Sequence, residues 1–354
     1  MRSIKELKNI AGKKALVRVD FNVPIQTGTV TDDFRIRQSL KTINYLHQHG
    51  AKITLITHLG KDGSASLEPV IKKFFQISEI PNSEIGFFEN VRKFPGEEKN
   101  DPAFAKQLSE LGDFFVNEAF SVSHREHASV VGIPLYLPSY AGFQLEEEVK
   151  NLSVTFQNPE HPFLFILGGA KFSTKLPLIE KYLELADHVF VGGALSNDVL
   201  KARGYEVGKS LVDDSGYDIK KVIDNKKLIV PIDVMVQVGN KLMNLAVEEV
   251  KKEEIILDVG EETLKKIKPY IENAKLILWN GPLGKYEVGG EKGTKKILKM
   301  VADSKAKSII GGGDTVAIIS QMGLEKDFSF ISTGGGATLD FLANGTLPGI
   351  KALK

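Results

Sequence analysis

Polar side chains suited to binding an anion follow apolar segments in the first half of the chain. Asp20 and Asn22 follow the first such segment, and His58 follows the second. Arg92 and Arg125 follow two later ones. A planar guanidinium matches two oxygens of a carboxylate or phosphate, which an ammonium cannot do. A single arginine is more typical of a surface charge, but arginines at several segment ends predict a site for a small anion.

These apolar segments alternate with helical patterns, which predicts β-α-β units. The predicted elements are strands at 13–21, 51–59, 85–90 and 113–120 and helices at 37–50 and 103–111. The strands of an open parallel sheet end at a common edge, where ligands bind. We therefore expect the polar residues above to lie at that edge.

The second half of the chain is rich in glycines that follow apolar segments. Of 33 glycines, 23 come after Gly142. A strand pattern followed by a glycine turn occurs five times, at 163–171, 188–195, 275–284, 307–315 and 328–336. Such a turn, when it also opens a helix, exposes backbone N–H groups to an anion. Five turns at one edge predict a phosphate-bearing ligand.

Charged residues in these turns suit a polyphosphate. Asp314 follows a glycine triplet at a predicted helix start, where it fits a magnesium ligand or, alternatively, a plain N-cap. Lys171 and Lys175 are expected on one helix face, where a polyphosphate would offset their repulsion; solvated lysines are the alternative. Glu287 suits hydrogen bonds from ribose hydroxyls, although a surface glutamate is the default reading.

Standard nucleotide-binding motifs do not account for these turns. Residues 204–210 look like a Walker A loop but are one residue short. Val316 and Leu339 stand where the dinucleotide-binding pattern requires its last glycine. Residues 124–126 lack the catalytic aspartate of protein kinases. The phosphate site therefore belongs to another family.

Composition restricts the class of protein. The chain has 354 residues, of which 42% are hydrophobic and 26% charged, and this predicts two globular domains. It contains no cysteine, which excludes disulfides and thiol nucleophiles and fits a reducing cytoplasm. The net charge of +1 argues against a nucleic-acid partner. No apolar stretch is long enough for a membrane span, and the N-terminus lacks a secretory signal.

The motifs together resemble those of the phosphoglycerate kinase family from one end of the chain to the other. The matching blocks are RVDFNVP at 18–24, THLG at 57–60, FENVR at 88–92, VNEAF at 116–120, HR at 124–125, GGAK at 168–171, WNGP at 279–282, GGGDT at 311–315 and STGGGA at 332–337. They occur in the order of the family. The resemblance implies an α/β fold with two doubly wound, Rossmann-like parallel-sheet domains joined by a helix, with an interdomain cleft.

A domain division follows from the helical pattern of 141–157 and the helix-breaking residues 158–162 after it. We expect a phosphoglycerate-binding domain at 1–145, a connecting helix at 146–160 and a nucleotide-binding domain at 161–335. In the family the C-terminus returns to the first domain, so the same is expected of residues 336–354. Nothing in the sequence determines the oligomeric state, and a monomer is the expectation.

The resemblance also implies an activity and a set of site residues. The activity is reversible phosphoryl transfer from 1,3-bisphosphoglycerate to ADP, giving 3-phosphoglycerate and ATP with Mg²⁺. The implied phosphoglycerate-binding residues are Asp20, Phe21, Asn22, Arg35, His58, Leu59, Gly60, Lys61, Arg92 and Arg125. The implied nucleotide-binding residues are Gly169, Lys171, Lys175, Gly192, Asn280, Pro282, Glu287, Gly312, Gly313, Asp314 and Thr315, with Asp314 also the metal ligand. Arg35 and Lys171 would stabilise the group in transfer.

Such a reaction needs no general base, because a carboxylate and an ADP phosphate are both ionised at neutral pH. Catalysis would be electrostatic, with hinge closure bringing the two half-sites together and excluding water. Two alternatives remain open at this stage. One is another acyl-phosphate kinase, and the other is a catalytically weak relative that only binds nucleotide or partners.

Several positions depart from the pattern of the family. Lys61 replaces a usual arginine, which keeps the charge but loses the bidentate fork. The remaining departures are Glu118 and Ser121 for aspartate and glycine, Ala194 for glycine, Ile256 for glycine and Lys285 for an apolar residue. The chain is also shorter than usual, most visibly between His58 and Glu89 and around 236–256. We expect these changes to affect affinity and nucleotide preference more than the type of reaction.

Overall fold

A computed structural model of the chain describes residues 1–216, 218–239 and 241–353, except for the side chain of Glu287. The structure divides into two compact units. Unit 1 comprises residues 1–150 and 344–354, and unit 2 comprises residues 151–343. Unit 1 is therefore assembled from both ends of the chain.

Unit 1 contains a five-stranded parallel sheet and a short hairpin. Its strands are β1 Lys14–Arg18, β2 Ile25–Gln26, β3 Thr29–Val30, β4 Lys52–Ile56, β5 Ile85–Phe87, β6 Phe114–Asn117 and β7 Ser139–Ala141. Its helices before the connection are α1 Phe34–Gln48, α2 Glu68–Ser78, α3 Pro95–Glu98 and α4 Pro102–Ser109. The parallel sheet has the order β5-β4-β1-β6-β7, and the hairpin is β2-β3. The strand order reverses between β1 and β6, and ligands bind such sheets beside this point.

The apolar pattern of the sequence explains these elements. Strand β1 has an exposed first residue and is then buried throughout, as a central strand covered on both faces must be. Helix α1 buries Ile36, Ile43 and Leu46, which recur at helical spacing, against the core of unit 1. Gly50 follows the helix with φ +76°, a left-handed conformation that ends a helix and favours glycine.

Helix α5, Phe143–Gln157, connects the two units and matches the helical pattern in the sequence. Two side chains of unit 1 accept hydrogen bonds from its first turn. Glu118 accepts from the backbone N–H of Gln144 at 3.2 Å, and the Thr42 hydroxyl accepts from that of Phe143 at 2.8 Å. These contacts satisfy N–H groups that have no partner within the helix. Burial raises the pKa of the Glu118 carboxyl to about 8, although its hydrogen-bond donors oppose the rise.

Unit 2 contains a six-stranded parallel sheet and a three-stranded antiparallel sheet. Its strands are β8 Phe163–Leu167, β9 His188–Val191, β10 Leu228–Ile229, β11 Asp233–Val238, β12 Lys241–Ala246, β13 Ile255–Val259, β14 Leu276–Asn280, β15 Lys307–Gly311 and β16 Phe330–Ile331. Its helices are α6 Phe172–Leu185, α7 Ala194–Ala202, α8 Lys220–Ile223, α9 Glu261–Asn273, α10 Lys292–Ala302, α11 Gly313–Met322 and α12 Gly336–Asn344. The last residue of α12, Asn344, already belongs to unit 1.

The parallel sheet has the order β10-β9-β8-β14-β15-β16, so the strand order reverses between β8 and β14. The five predicted strands that carry glycine turns are β8, β9, β14, β15 and β16. The antiparallel sheet, with the order β12-β11-β13, was not expected from the sequence. A final helix, α13 Pro348–Lys351, lies in unit 1. None of the helices in the described ranges combines the length and apolar character needed to cross a membrane.

Candidate functional site

Asp20 is the centre of a polar cluster at the carboxyl ends of the strands in unit 1. Its Oδ2 accepts a hydrogen bond from Arg35 Nη1 at 2.8 Å and another from the Ser121 hydroxyl. Its Oδ1 accepts from the backbone N–H of Asn22 at 3.1 Å. Burial alone would raise the pKa of Asp20, but Arg35, His58 and the Ser121 hydrogen bond hold it well below its usual range. Asp20 is therefore a fixed carboxylate at neutral pH.

Arg35 lies in the first turn of α1 and is held from one side only. Its Nη1 donates to Asp20 and to the backbone carbonyl of Asn22 at 3.1 Å. About a quarter of its side chain remains exposed, at 28%. The cation is thus oriented by protein groups and is still accessible to a ligand.

His58 is a buried neutral imidazole. Burial lowers the pKa of His58 to about 3, helped by the charges of Arg18 and Arg92 and opposed by Asp20. Its Nδ1 lies 3.4 Å from Arg18 Nη2. A guanidinium can only donate, so Nδ1 accepts and the ring proton resides on Nε2. His58 therefore has an N–H donor and no charge.

Arg92 and Arg125 add positive charge beside this cluster. Arg92 Nη1 donates to the carbonyl of Lys61 at 2.9 Å, and its Nε lies 3.2 Å from Glu98. Arg125 Nε is buried and has no hydrogen-bond partner within the described structure. Burial lowers the pKa of Arg125, and so does the neighbouring charge of Arg92. A buried donor beside like charges favours an anionic ligand, because an anion would satisfy both.

The remaining predicted residues of unit 1 contribute mainly through the backbone. The Phe21 side chain is fully buried and packs against Phe74 and Phe87 in the core. Leu59 is also part of the core, while the backbone N–H of Gly60 donates to Asn22 Oδ1 at 3.0 Å. The Lys61 side chain is exposed, and only its carbonyl has a contact in this cluster.

The glycine turns of unit 2 interlock, and several of their N–H groups already donate to backbone carbonyls. A side chain at Gly281 would place Cβ 2.5 Å from the Gly168 carbonyl oxygen, and one at Gly312 would place it 2.9 Å from the Gly281 nitrogen. The N–H groups of Gly168, Gly192 and Gly193 donate to backbone carbonyls at 2.9–3.0 Å. The expectation that all five turns present N–H groups to an anion was too broad, because several of them hold neighbouring turns together.

The turn after β15 remains open. None of the described side chains caps α11, whose first residues are Gly313, Asp314 and Thr315. A Cβ at Gly313 would meet no atom within 4 Å. The Thr315 hydroxyl and Asn280 Nδ2 are buried without hydrogen-bond partners in the described structure. Uncapped N–H groups at the start of a helix form a site for an anion.

Asp314 is not the N-cap of α11, because Gly312 holds that position. Its Oδ1 accepts a hydrogen bond from the Tyr286 hydroxyl at 3.1 Å. The described residues contain no group of three or more metal-binding side chains. Mg²⁺ is commonly bound by one or two carboxylates together with substrate phosphates. Asp314 therefore fits a magnesium ion that arrives with a nucleotide.

Lys171 and Lys175 are neighbours, but they do not share one face of a helix as predicted. Lys171 is extended and precedes α6, so it does not share a helix face with Lys175. Lys175 Nζ lies 3.3 Å from the position that a Cβ of Gly169 would take. Burial lowers the pKa of Lys175, and the charge of Lys171 lowers it further. The two ammonium groups repel each other, and a polyphosphate would relieve this repulsion.

Beside the open turn lies a cavity of about 540 Å³, within the usual range for a small-molecule site. Gly169 and Asp314 form one part of its wall, and apolar residues such as Leu211 and Leu283 form another part. Strand β13 of the unexpected antiparallel sheet lines it with residues 255–259. Three positions that depart from the family pattern also line it: Ala194, Ile256 and Lys285.

Pro282 also lines this cavity. Gly192 does not line the cavity. A Cβ at this position would lie 2.7 Å from the Leu283 side chain, so the glycine allows Leu283 to pack closely against the backbone. The side chain of Glu287, predicted to contact ribose, lies outside the described part of the structure.

Sequence reasoning missed the residues that support the Asp20 cluster. Arg18 is 1% exposed, and its Nε donates to the Ser129 hydroxyl at 2.8 Å. That hydroxyl donates in turn to buried Glu97 at 2.6 Å. Arg18 follows the pattern of a strand residue, so only its charge in an apolar segment could have indicated this role. Glu97 carried no such signal, and Ser121 stood out only as a departure from the glycine that is usual in the family.

The two parallel sheets, the arginine cluster and the open helix start define an α/β protein whose two candidate sites suit anionic ligands. The family model "Phosphoglycerate kinase" matches residues 4–79 and 75–345. The phosphoglycerate kinase of Borreliella burgdorferi (strain ZS7) is 40% identical over 392 residues, covering 100% of this chain and 99% of the relative. That of Rubrobacter xylanophilus is 42% identical, covering 99% and 98%.

Comparison with solved structures gives the same family. That of phosphoglycerate kinase from Coxiella burnetii has a TM-score of 0.86 and 35% identity, covering 99% of this chain and 98% of that one. That from Pyrococcus horikoshii OT3 has a TM-score of 0.88 and 28% identity, covering 100% and 98%. The chain therefore belongs to the phosphoglycerate kinase family, and it is a kinase with the glycolytic role of that family. The predicted family and fold class are confirmed.

Proposed function

We propose that unit 1 binds 3-phosphoglycerate or 1,3-bisphosphoglycerate through the Asp20 cluster. The observation that carries this proposal is the group of Arg18, Arg92 and Arg125 beside buried His58, with Arg125 Nε unpartnered. Arg35, Arg92 and Arg125 would bind the anionic groups of the acid. The Nε2–H of neutral His58 would donate to an oxygen of the same ligand. Asn22, Gly60 and Lys61 would shape this site through the contacts described above.

Unit 2 would bind ADP or ATP with Mg²⁺ as the nucleotide complex. The N–H groups of Gly313, Asp314 and Thr315 would hold the phosphates, as an uncapped helix start can. Asp314 would bind the magnesium ion of the complex, and Lys175 would contact the phosphate chain. The apolar part of the cavity would take the base, with Pro282 and Gly169 at its wall.

The chemical step would depend on charge stabilisation alone. The carboxylate of 3-phosphoglycerate and the terminal phosphate of ADP are both ionised at neutral pH, so neither requires a base. In transfer from ATP, the bond from the γ-phosphorus to the bridging oxygen breaks while a carboxylate oxygen bonds to phosphorus. Arg35 and Lys171 would bind the equatorial oxygens of the transferring group, whose charge they meet best in the transition state.

Direct transfer requires the two ligands to meet, so we propose that the units close on each other during the catalytic cycle. Closure would also exclude water that hydrolyses an acyl phosphate. We further propose that the enzyme acts as a cytoplasmic monomer, without a nucleic-acid or membrane partner. Its lack of cysteine is compatible with a reducing compartment.

The decisive experiment is a coupled assay on the full chain. With 3-phosphoglycerate, Mg²⁺ and ATP, the 1,3-bisphosphoglycerate formed is reduced by glyceraldehyde-3-phosphate dehydrogenase, and NADH oxidation is followed. We expect turnover that requires all three components. Calorimetric binding of nucleotide and 3-phosphoglycerate without turnover would contradict the proposal.

A further inference from the structure

Ser121 contacts the carboxylate at the centre of the unit 1 cluster. Its hydroxyl donates to Asp20 Oδ2, the same oxygen that accepts from Arg35 Nη1. Ser121 and Asp20 are each only 8% exposed. A hydrogen bond between a neutral donor and a buried carboxylate is stronger than one at the surface, because water does not compete for it.

The backbone that carries Ser121 is fixed from several sides. It lies in the 3-10 turn of residues 120–122, directly after β6. Asn117, the last residue of β6, accepts from the Ala119 N–H at 3.0 Å and donates to the Ser123 hydroxyl at 3.1 Å. The Ser123 carbonyl accepts from the Gly349 N–H of the C-terminal helix at 2.8 Å. The Ser121 hydroxyl is therefore held in place before any ligand binds.

We propose that Ser121 is a positioning residue for the phosphoglycerate half-site, acting through Asp20 on Arg35. This inference rests on the proposed function of the cluster. Asp20 Oδ1 is held by the Asn22 N–H, and Ser121 fixes Oδ2, so the carboxylate cannot rotate. A fixed carboxylate holds Arg35 Nη1 and leaves the rest of the guanidinium to the ligand.

The charges around Asp20 make this hydrogen bond consequential. Four cationic or basic groups act on Asp20: Arg18 from β1, Arg35 from α1, His58 after β4 and Arg125 after β6. Without Ser121, Oδ2 is held by Arg35 alone, and the charges of His58 and Arg18 can draw the carboxylate out of its present orientation. Arg35 would then lose its orientation, although the net charge of the site would not change.

The test compares Ser121→Ala with Ser121→Thr in the coupled assay on the full chain. We expect Ser121→Ala to raise KM for 3-phosphoglycerate about tenfold, as for one lost hydrogen bond to a charged group. KM for ATP should change less than about twofold. Ser121→Thr keeps the hydroxyl and should restore KM for 3-phosphoglycerate to within about threefold of the parent.

Ser109→Ala is the matched control, since Ser109 is 7% exposed and its hydroxyl donates only to the Lys106 carbonyl of α4. It should leave both KM values unchanged. Calorimetry with 3-phosphoglycerate gives a second readout that does not require turnover. In an Asp20→Ala background, Ser121→Ala should weaken binding much less than in the parent, because the two residues act as a pair.

Two results would overturn the inference. One is a parent enzyme with normal turnover in which Ser121→Ala leaves KM and affinity for 3-phosphoglycerate unchanged. The other is an equal rise in both KM values that threonine does not restore, which would indicate a general loss of structure. A parent chain without any turnover would instead contradict the proposed function, so the two failures are distinguishable.

Discussion

The candidate sites of the two units are built from different parts of the chain. In unit 1, charged side chains such as Asp20, Arg35 and Arg125 form the site and hold one another in place. In unit 2, the site is mainly an uncapped helix start, interlocked glycine turns and an apolar cavity wall. Residue identity therefore determines the first site, whereas backbone geometry determines much of the second.

This difference has a physical reason. A small acid with two anionic groups offers little apolar surface, so its affinity must come from charges and hydrogen bonds. A nucleotide carries both a base and a phosphate chain, so an apolar wall and backbone donors can share the binding. Substitutions that retain charge but alter shape should therefore affect unit 1, and added methyl groups should affect unit 2.

The largest effect is expected from Lys171→Ala in unit 2. Lys171 is an exposed side chain close to Lys175, and we propose that it meets the transferring group in the transition state. We expect kcat to fall about 10²- to 10³-fold, with KM for ATP changed less than about threefold. Steady-state kinetics of the coupled reaction measure both.

Lys201→Ala is the control, because Lys201 is an exposed lysine whose one ion pair among the described residues is a long one, 3.6 Å from Asp214. It should leave kcat unchanged. An unaltered kcat in Lys171→Ala would contradict a catalytic role for this lysine. It would mean that backbone groups, rather than this side chain, stabilise the transferring group in unit 2.

Gly281→Ala should destabilise unit 2 by at least about 2 kcal/mol. Its Cβ would lie 2.5 Å from the Gly168 oxygen, and Gly281 has a φ of +86°. Trp279 is the only tryptophan, is fully buried and donates to the Gly281 carbonyl at 2.7 Å. Its fluorescence during denaturation therefore reports on this region.

Gly313→Ala is the matched comparison, because its Cβ would meet no atom within 4 Å. We expect unchanged or slightly higher stability, since alanine is the better helix former. KM for ATP should nevertheless rise, because the methyl group would occupy the proposed phosphate site. Equal losses of stability in the two variants would contradict the interlocked arrangement.

Arg125→Lys tests whether the guanidinium fork matters in unit 1. The change keeps the charge but removes the buried Nε donor, so KM for 3-phosphoglycerate should rise about tenfold with a smaller effect on kcat. Arg203→Lys is the control, because Arg203 is exposed and, within the described part of the chain, donates from its guanidinium only to the Ile223 carbonyl. An unchanged KM in Arg125→Lys would mean that charge alone suffices in unit 1.

The smallest effect concerns Glu118 and the dependence of stability on pH. Its folded-state pKa is about 8, above the ordinary value of 4.5. Between these values the folded state retains a proton that the unfolded state has lost, so stability should fall as pH rises from about 5 to about 8. The slope is at most about 1.4 kcal/mol per pH unit.

Glu118→Gln cannot titrate and should flatten that slope. Chemical denaturation at several pH values, followed by circular dichroism, measures it. An identical slope in Glu118→Gln would show that other groups cause the pH dependence.

Much of the fold could be predicted because its strands are buried on both faces and end in glycine or polar residues. Strand β8 is a continuous apolar run, β1, β4 and β14 are mainly apolar, and α5 ends just before the predicted break at Asn158-Pro159. The antiparallel sheet was harder to predict from the sequence. Its strand β12 reads KLMNLA with four exposed residues, so its apolar pattern carries little information on burial.

The residues of the unit 1 site also divide into those that could be predicted from the sequence and those that could not. Asp20, His58 and Arg92 could be predicted from their types and from the strands that precede them. Ser121 and Glu97 could not, because their roles depend on contacts with Asp20 and Ser129 that are distant in sequence. The sequence also does not show which glycine N–H groups already donate to backbone carbonyls. Gly168 and Gly313 both follow strands in the sequence, but only the structure shows that the N–H of Gly168 is bonded to Asn280.

The division of unit 1 between both ends of the chain has a consequence for biosynthesis. Residues 151–343 form a continuous unit and are translated before residues 344–354. Gly349, whose N–H donates to the Ser123 carbonyl and which lies against Val130, is therefore made after the whole of unit 2. The turn that carries Ser121 receives this support only after unit 2 has been synthesised. A protein cut short by translation would lack this support at the phosphoglycerate half-site while retaining the whole of unit 2.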